Sequence, residues 1–363
     1  MLERKIEARQ LASIMTMFLI VQFGGLLIAI AAIGSPAAQV VASQGTAQGT
    51  IETALLYLLY ILAFAALVLF VFRFLNGRIV FMLLEAFVVL LATSMLLFIA
   101  FSVLLPNASE YYLAAAAVAI TVAMIAAKYR TSRLRNVLAI TSSMGVGILI
   151  GLNGFALAYL FMLFIAVYDY IAVFVTKHMQ VIAKHASSMN LALLVGSSEV
   201  EAIPTKYLKQ KDIREFRRDV RKQKISDPVI RRLISEGIVP VVSQVQLGSG
   251  DLAIPLMVAV SAYATFLSYF AGFMVVLGAA CGMLYTMYLL KKYKVALPAI
   301  PPLAAFISLF LGVMFLITDF AQTRLWAGFM LLSVVIVVVL TSKLKGMQAQ
   351  AAQPAAARHT KGL

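Results

Sequence analysis

Apolar residues in this chain run in long stretches that polar residues rarely interrupt. Ten stretches approach the roughly 20 residues that a helix needs to cross a bilayer. Because backbone amides inside lipid must be satisfied within the segment itself, we expect each stretch to be a helix. The predicted spans are residues 11–33, 52–72, 79–105, 111–127, 136–153, 155–175, 245–269, 271–290, 297–317 and 324–342.

The composition agrees with this pattern. Of the 363 residues, 63% are hydrophobic and 12% are charged, which is more apolar surface than a soluble domain buries. The net charge of +15 has two explanations, basic cytoplasmic loops or nucleic-acid binding, and the composition favours the first. The sequence therefore predicts an all-α polytopic membrane protein that binds no nucleic acid.

Basic residues gather in every second loop between the predicted spans. Lys and Arg accumulate on the cytoplasmic side of membrane proteins, so this alternation orients the chain. It places the N-terminus, the loop between spans six and seven, and the C-terminus in the cytoplasm of a multi-pass cell-membrane protein. The one exception is Arg324, which falls in a loop on the predicted outer side. The basic loops hold Arg4, Lys5 and Arg9; Arg73 and Arg78; Lys128, Arg130, Arg133 and Arg135; the long loop after span six; Lys291, Lys292 and Lys294; and Lys343 and Lys345.

Three of the 15 acidic residues fall inside apolar stretches: Glu85, Asp169 and Asp251. A carboxylate in lipid is costly unless it faces a cavity or a partner. For Glu85 the pattern favours either a polar contact between helices or a side chain that extends towards the membrane interface. Asp169 lies near the end of span six and Asp251 near the start of span seven, so we expect both at a similar depth near the cytoplasmic side.

Two neighbouring carboxyl groups suit peptide hydrolysis. They do not both ionise readily, so one can keep a proton while the other activates a water. This chemistry needs no metal and no cofactor. Gly248 and Gly250 leave room beside Asp251. Pro255 cannot donate a hydrogen bond to the Asp251 carbonyl, which loosens the helix there.

Three motifs occur in chain order: Tyr168-Asp169, Gly248-Ser249-Gly250-Asp251 and Pro298-Ala299-Ile300-Pro301. Together they resemble the presenilin and signal peptide peptidase family of GxGD intramembrane aspartyl proteases. A lone GxGD would be a weak signal, but the ordered trio with a long loop between its aspartates is specific. The run Thr176-Lys177-His178-Met179 is similar to archaeal presenilin homologues in particular. The third motif corresponds to the family's PAL motif, with Ile300 where the family usually has Leu.

The resemblance implies a presenilin-like bundle of nine transmembrane helices, to which this chain adds a tenth span. It implies that Asp169 and Asp251 are the catalytic acid/base pair acting on transmembrane segments of other membrane proteins. The charge pattern matches presenilins, whereas signal peptide peptidases are inverted. Prepilin peptidases share the GxGD but have a lysine soon after it, which is absent here. The implied substrate-binding residues are Tyr168, Gly248, Ser249, Gly250, Pro298, Ala299, Ile300 and Pro301.

The long loop between the two aspartates contains helical and strand-like segments. Residues 205–224 have apolar positions at helical spacing among basic ones, and a second helix is predicted to begin near Asp227 and stop at Gly237. The pattern favours basic amphipathic helices on an anionic lipid surface, and the alternative is a solvated charged loop. Residues 191–195 and 241–246 are strand-like. By the resemblance, they form a short β-hairpin-like element that pairs with an extended substrate.

The chain is thus predicted to have four parts. Residues 1–180 hold six spans, 181–244 form the basic loop, 245–345 hold spans seven to ten, and 346–363 form a disordered tail. The alternatives are an ion or proton transporter that uses the aspartates as a relay, and an inactive scaffold. The absence of an internal repeat weighs against the transporter. Self-association into a homo-oligomer is left open.

Overall fold

Helices dominate the computed structural model, which describes residues 8–33, 56, 59, 77–128, 132–174, 194–204, 238–293, 298–318 and 325–352. Nine of the described helices are long, and two strands separate the fifth helix from the sixth. The elements are α1 Ala8–Ile33, α2 Gly77–Leu104, α3 Glu110–Ala127, α4 Ser132–Gly151, α5 Phe155–Phe174, β1 Leu194–Pro204, β2 Ile238–Gly248, α6 Ser249–Phe266, α7 Tyr269–Tyr293, α8 Ile300–Ile317 and α9 Leu325–Ala352.

Among these described residues, nine helices are long and apolar enough to cross a membrane. They correspond to nine of the ten predicted spans, including the tenth, which is α9. The remaining predicted span, 52–72, lies outside the described residues apart from two positions. The prediction of an all-α polytopic membrane fold is therefore confirmed.

Several helix boundaries differ by a few residues from the sequence prediction, and two of the differences change the element assigned to a segment. Span seven was predicted from residue 245, but α6 begins at Ser249 and residues 245–248 belong to β2. Gly248 is the N-cap of α6, with an extended backbone at φ −67° and ψ 144°. At the other end of the chain, α9 continues to Ala352, into the segment predicted to be disordered. Ala and Gln favour helix, so a span can continue through them.

The two strands form a two-stranded sheet, as the strand-like segments predicted. Strand β2 includes the predicted segment 241–246, whereas β1 starts at Leu194 and runs beyond the predicted end at residue 195. Residues 191–193 and the helices predicted within 205–237 lie outside the described residues.

The chain divides into two compact units. One comprises Met1–Ile14 with Gly196–Leu247, and the other comprises Met15–Val195 with Gly248–Leu363. The first contains most of the two-stranded sheet. The second contains the helical bundle described below. The four-part division predicted from the sequence stays a prediction.

Contacts within the bundle fix the relative directions of several helices. Along α4 and α6, Ser143 meets Ser249, and a side chain at Gly151 would meet Met257, so these helices run in the same direction. Along α5 and α8, by contrast, Asp169 meets Ile300 and Tyr159 meets Ser308, so these two are antiparallel. The ends of α5, α6 and α8 that carry the three motifs therefore lie at one end of the bundle.

The tenth span is packed into the bundle. Helix α9 lies along α8. Near its start, the ring of Phe329 lies 4.9 Å from that of Tyr159 on α5 and 5.4 Å from that of Phe315 on α8. Near its other end, Leu340 and Leu344 join a buried apolar cluster with residues of α5 and α7. Helix α9 thus packs along α8 and also contacts α5, the helix that carries Asp169, near both of its ends.

Candidate active site

Asp169 lies on α5, one turn before that helix ends. The residue is only 7% exposed, and most of the other buried residues of α5 are apolar. Helix α5 packs against both α6 and α8, which bring the other two motifs to it. A buried carboxyl group requires polar partners. For Asp169, they come from the start of α8.

The backbone at the start of α8 donates to Asp169. The Ile300 N–H donates to Oδ2 at 3.3 Å, and the backbone of Ala299 also donates to this carboxyl group. Helix N-termini carry unpaired N–H groups, but proline has none. Pro301 and Pro302 follow Ile300, and Leu303 N–H already donates to the Ala299 carbonyl at 3.4 Å. Because Pro301 and Pro302 have no N–H, the start of α8 offers only the N–H groups of Ala299 and Ile300. Both of these groups donate to Asp169.

Asp251 lies in the first turn of α6, three residues after the N-cap Gly248. Its carboxyl group accepts a hydrogen bond from the Gly248 backbone, the arrangement in which an acidic side chain reaches back to the N-cap. The same carboxyl group is within electrostatic range of Asp169. Each carboxyl group is therefore held by the N-terminus of a helix, Asp169 by α8 and Asp251 by its own helix.

The two glycines of the GxGD motif have different surroundings. A Cβ atom at Gly248 would lie 3.3 Å from Asp251 Oδ2, so glycine permits the close approach of that carboxyl group. A Cβ at Gly250 would meet nothing within 4 Å. Gly250 is also exposed, so the space beside Asp251 is open. Ser249 and Asp251 are partly buried.

The remaining predicted site residues divide by exposure. Tyr168 is 57% exposed, because it precedes the inward-facing Asp169 and points away from the bundle. Pro298, Ala299, Ile300 and Pro301 are buried. In this arrangement, the proline-rich motif meets Asp169 through its backbone, while its side chains pack inside the protein.

Three further polar contacts, which no sequence motif indicated, join helices of the bundle. Gln22 on α1 donates from Nε2 to the Leu252 carbonyl at 2.8 Å. Ser143 on α4 donates to the Ser249 carbonyl at 3.2 Å. The Tyr159 and Ser308 hydroxyls join α5 to α8 at 2.7 Å. A buried glutamine inside an apolar span was a usable signal for Gln22, but the serines gave none.

Comparisons with known proteins agree with the motifs. The sequence model of a family described as "Signal-peptide peptidase, presenilin aspartyl protease" matches residues 15–318. This range includes the three motifs and ends before α9. No curated protein matches the chain.

Among solved structures, the chain is similar to a presenilin family intramembrane aspartate protease crystallised in space group C222. The two share 18% sequence identity with a TM-score of 0.49, over 84% of this chain and 96% of the other. The family assignment does not depend on this structure, because the sequence model covers most of the chain. This protein therefore belongs to the signal-peptide peptidase and presenilin family of aspartyl proteases.

Proposed function

We propose that this protein is an intramembrane endopeptidase that hydrolyses peptide bonds within transmembrane segments of other membrane proteins. The observation that carries the proposal is the meeting of Asp169 and Asp251 at one end of the bundle, each held by backbone donors. Such a pair has little value for stability, because buried carboxyl groups are costly even when they are hydrogen-bonded. It is suited to moving protons.

The two aspartates divide the work of hydrolysis. The ionised carboxylate takes a proton from a water molecule while the water oxygen attacks the peptide carbonyl carbon. The protonated aspartate donates its proton to the developing alkoxide. When the tetrahedral intermediate collapses, the C–N bond breaks and the leaving nitrogen receives a proton from the pair. Either residue can hold the first proton, because the pair titrates as a unit.

The neighbouring motif residues shape the site around this pair. Gly248 admits the Asp251 carboxyl group, and Gly250 leaves open space for a water and a substrate backbone. Pro298, Ala299, Ile300 and Pro301 position Asp169 through the start of α8, besides the substrate contact that the family resemblance implies. Tyr168 is exposed beside Asp169 and is available to a substrate.

An extended substrate fits the strand that precedes Asp251. Strand β2 ends at Gly248 and the chain continues directly into α6. Among the residues that the structure describes, β2 pairs with β1 alone, and the other edge of such a strand can pair with an added strand. A transmembrane helix hides its peptide bonds in internal hydrogen bonds. Pairing with β2 would unwind the substrate and expose the bond to water.

Cleavage of a single-span substrate by the purified protein in detergent tests the proposal. Asp169→Asn and Asp251→Asn should each lower the rate at least about 100-fold, because each removes a proton-transferring group. Glu110→Gln is the matched control, since Glu110 is exposed at the start of α3 and should leave the rate unchanged. Pro substitutions at successive positions of residues 241–246 each remove one strand N–H, and those at the edge that pairs with substrate should slow cleavage.

Two outcomes would contradict the proposal. Retained cleavage in either aspartate variant would exclude the pair as the catalytic groups. No cleavage of any substrate, together with ion flux in liposomes that both variants abolish, would favour the transporter alternative. Unchanged cleavage by every Pro variant through residues 241–246 would exclude strand pairing but would leave the aspartates as the catalytic pair.

A further inference from the structure

The first turn of α6 lacks one of its own hydrogen bonds where Asp251 lies. In a regular helix, the N–H of residue 255 would donate to the Asp251 carbonyl, but Pro255 has no N–H. The missing bond loosens the turn that must hold a catalytic carboxyl group in place. Precise chemistry needs the opposite, because misplacing a reacting group by about 1 Å can slow a reaction by about 100-fold.

Two side chains from other helices hold the carbonyls on either side of this gap. Ser143 Oγ on α4 lies 3.2 Å from the Ser249 carbonyl and 2.7 Å from the Ala139 carbonyl of its own helix, so its one hydroxyl proton is shared between the two carbonyls. Gln22 on α1 donates to the Leu252 carbonyl at 2.8 Å. A carbonyl oxygen has two lone pairs, so each can accept these bonds besides a helical one. The two donors therefore bracket Gly250 and Asp251.

Gln22 is an unusual choice for this position on grounds of stability alone. It is fully buried, and its Oε1 has no hydrogen-bond partner among the residues that the structure describes. A buried acceptor without a partner costs free energy, whereas an apolar side chain of the same size would not. Its neighbourhood is tightly packed, since Gly25, one turn later on α1, lies against Leu256.

We propose that Gln22 and Ser143 are positioning residues that fix the Asp251 turn, by holding the carbonyls of Leu252 and Ser249 where Pro255 has removed the helix's own bond. This inference rests on the proposed protease function. Neither residue takes part in proton transfer. They restrain the carboxyl group that does, so their loss lowers the turnover rate and leaves substrate binding unchanged.

Ser142 provides a matched control for Ser143. Both hydroxyls lie within hydrogen-bond distance of the Ala139 carbonyl of their own helix, at 3.1 and 2.7 Å, but only the Ser143 hydroxyl shares its proton with the Ser249 carbonyl as well. Ser143→Ala should lower kcat about fivefold with KM unchanged, the factor that corresponds to one neutral hydrogen bond. Ser142→Ala should keep both constants. Equal kcat values for the two variants would overturn the role of Ser143.

Gln22 is tested by two substitutions of similar length. Gln22→Met removes the donor and should lower kcat about fivefold or more at every pH. Gln22→Glu can donate only while its carboxyl group is protonated, so its kcat should fall relative to wild type as the pH rises. Thr121→Val is the control, because Thr121 is buried but bonds only to Ala117 of its own helix. A pH profile of Gln22→Glu parallel to that of wild type would contradict the role of Gln22.

Hydrogen exchange separates this inference from the protease proposal itself. In Ser143→Ala and Gln22→Met, the backbone amides of residues 249–257 should exchange about fivefold faster than in wild type, while those of α3 stay unchanged. This measurement needs no substrate. Unchanged exchange at residues 249–257 in both variants would overturn the inference even if the protein cleaves. Faster exchange in a protein that cleaves nothing would retain the restraint and remove the protease proposal.

Discussion

Glu85 is a buried carboxyl group of a different kind from the two aspartates. On α2, it is 1% exposed and forms an ion pair with Lys128 at 3.0 Å. Lys128 is the C-cap of α3, where a positive charge is favoured by the helix dipole. This contact joins two neighbouring helices, as the sequence suggested for Glu85, and it places this acid in a structural role.

Removing one member of this ion pair should destabilise the bundle. Glu85→Gln leaves Lys128 buried beside a neutral group, so the free energy of unfolding should fall by about 3–5 kcal/mol. Replacing both residues with Met should restore most of that loss, because no charge is then left in the interior. Denaturation in detergent measures each value. Glu110→Gln, on the surface, should change stability by less than about 0.5 kcal/mol.

The stability of the variant with Met at both Glu85 and Lys128 decides whether the two charges act as a pair. If this variant is no more stable than Glu85→Gln, the two charges do not act as a pair, and the energetic account of this contact is wrong. Cleavage activity should follow stability in all of these variants, since neither residue lies with the aspartates.

At the scale of single residues, the sequence identified the buried carboxyl groups but did not identify their hydrogen-bond donors. Asp169 and Asp251 stood out because a carboxyl group in an apolar span is costly, and a motif accompanied each. The donors to Asp169 are backbone groups of Ala299 and Ile300, which no side-chain pattern encodes. Ser143 is one of several serines in α4, so only the packing of α4 on α6 distinguishes it.

At the scale of elements, the close packing of α7 on α8 supports the active site. Gly278 and Gly282 lie on one face of α7, and a Cβ at either would lie 2.8 Å from backbone atoms of α8. Small residues four apart allow transmembrane helices to approach closely. Gly282 contacts Leu303, one turn after Ile300, so this contact sets the position of the N–H groups that hold Asp169.

Gly282→Ala should therefore impair catalysis. The added methyl group meets the backbone of Leu303, which cannot turn aside, so α8 must move by a few tenths of an ångström. We expect kcat to fall about tenfold, because small displacements of a catalytic group are costly. Gly328→Ala on α9 is the matched control, since a Cβ there meets nothing within 4 Å. Its kcat should stay within about twofold of wild type.

The sequence located the described helices more accurately than it located the boundary between β2 and α6, for a physical reason. Apolar stretches located the described spans because lipid imposes both length and composition on them. They could not separate β2 from α6, since residues 245–248 suit a strand as well as a span. The Gly248 N-cap decided that boundary. The packing of α9 against α5 and α8 depends on contacts far apart in the chain, so hydropathy predicted its existence and not its place.

At the scale of the whole molecule, the loop charges predict which side of the membrane each segment occupies. The helix directions within the bundle agree with an alternating path, because α5 and α8 are antiparallel while α4 and α6 are parallel. They do not assign a side. The side matters for the proposed function, because a substrate would be cut near the face at which the motif-carrying ends of α5, α6 and α8 lie. The loop charges predict that this face is cytoplasmic.

Labelling of single cysteines in intact cells tests this topology. The chain has one cysteine, Cys281 on α7, so a Cys281→Ser background is free of thiols. Ala108→Cys, in the exposed turn between α2 and α3, should react with a membrane-impermeant maleimide from outside. Two further variants should react only after the membrane is permeabilised, because Lys and Arg favour the cytoplasm. They are Ser226→Cys in the basic loop and Ser342→Cys, which is exposed on α9 at the end of the predicted span 324–342.

Labelling of Ser342→Cys from outside, with Ser226→Cys protected, would mean that α9 does not cross the bilayer. Reversal at all three positions would place the aspartates near the outer face, and the substrate would then be cut near its extracellular end.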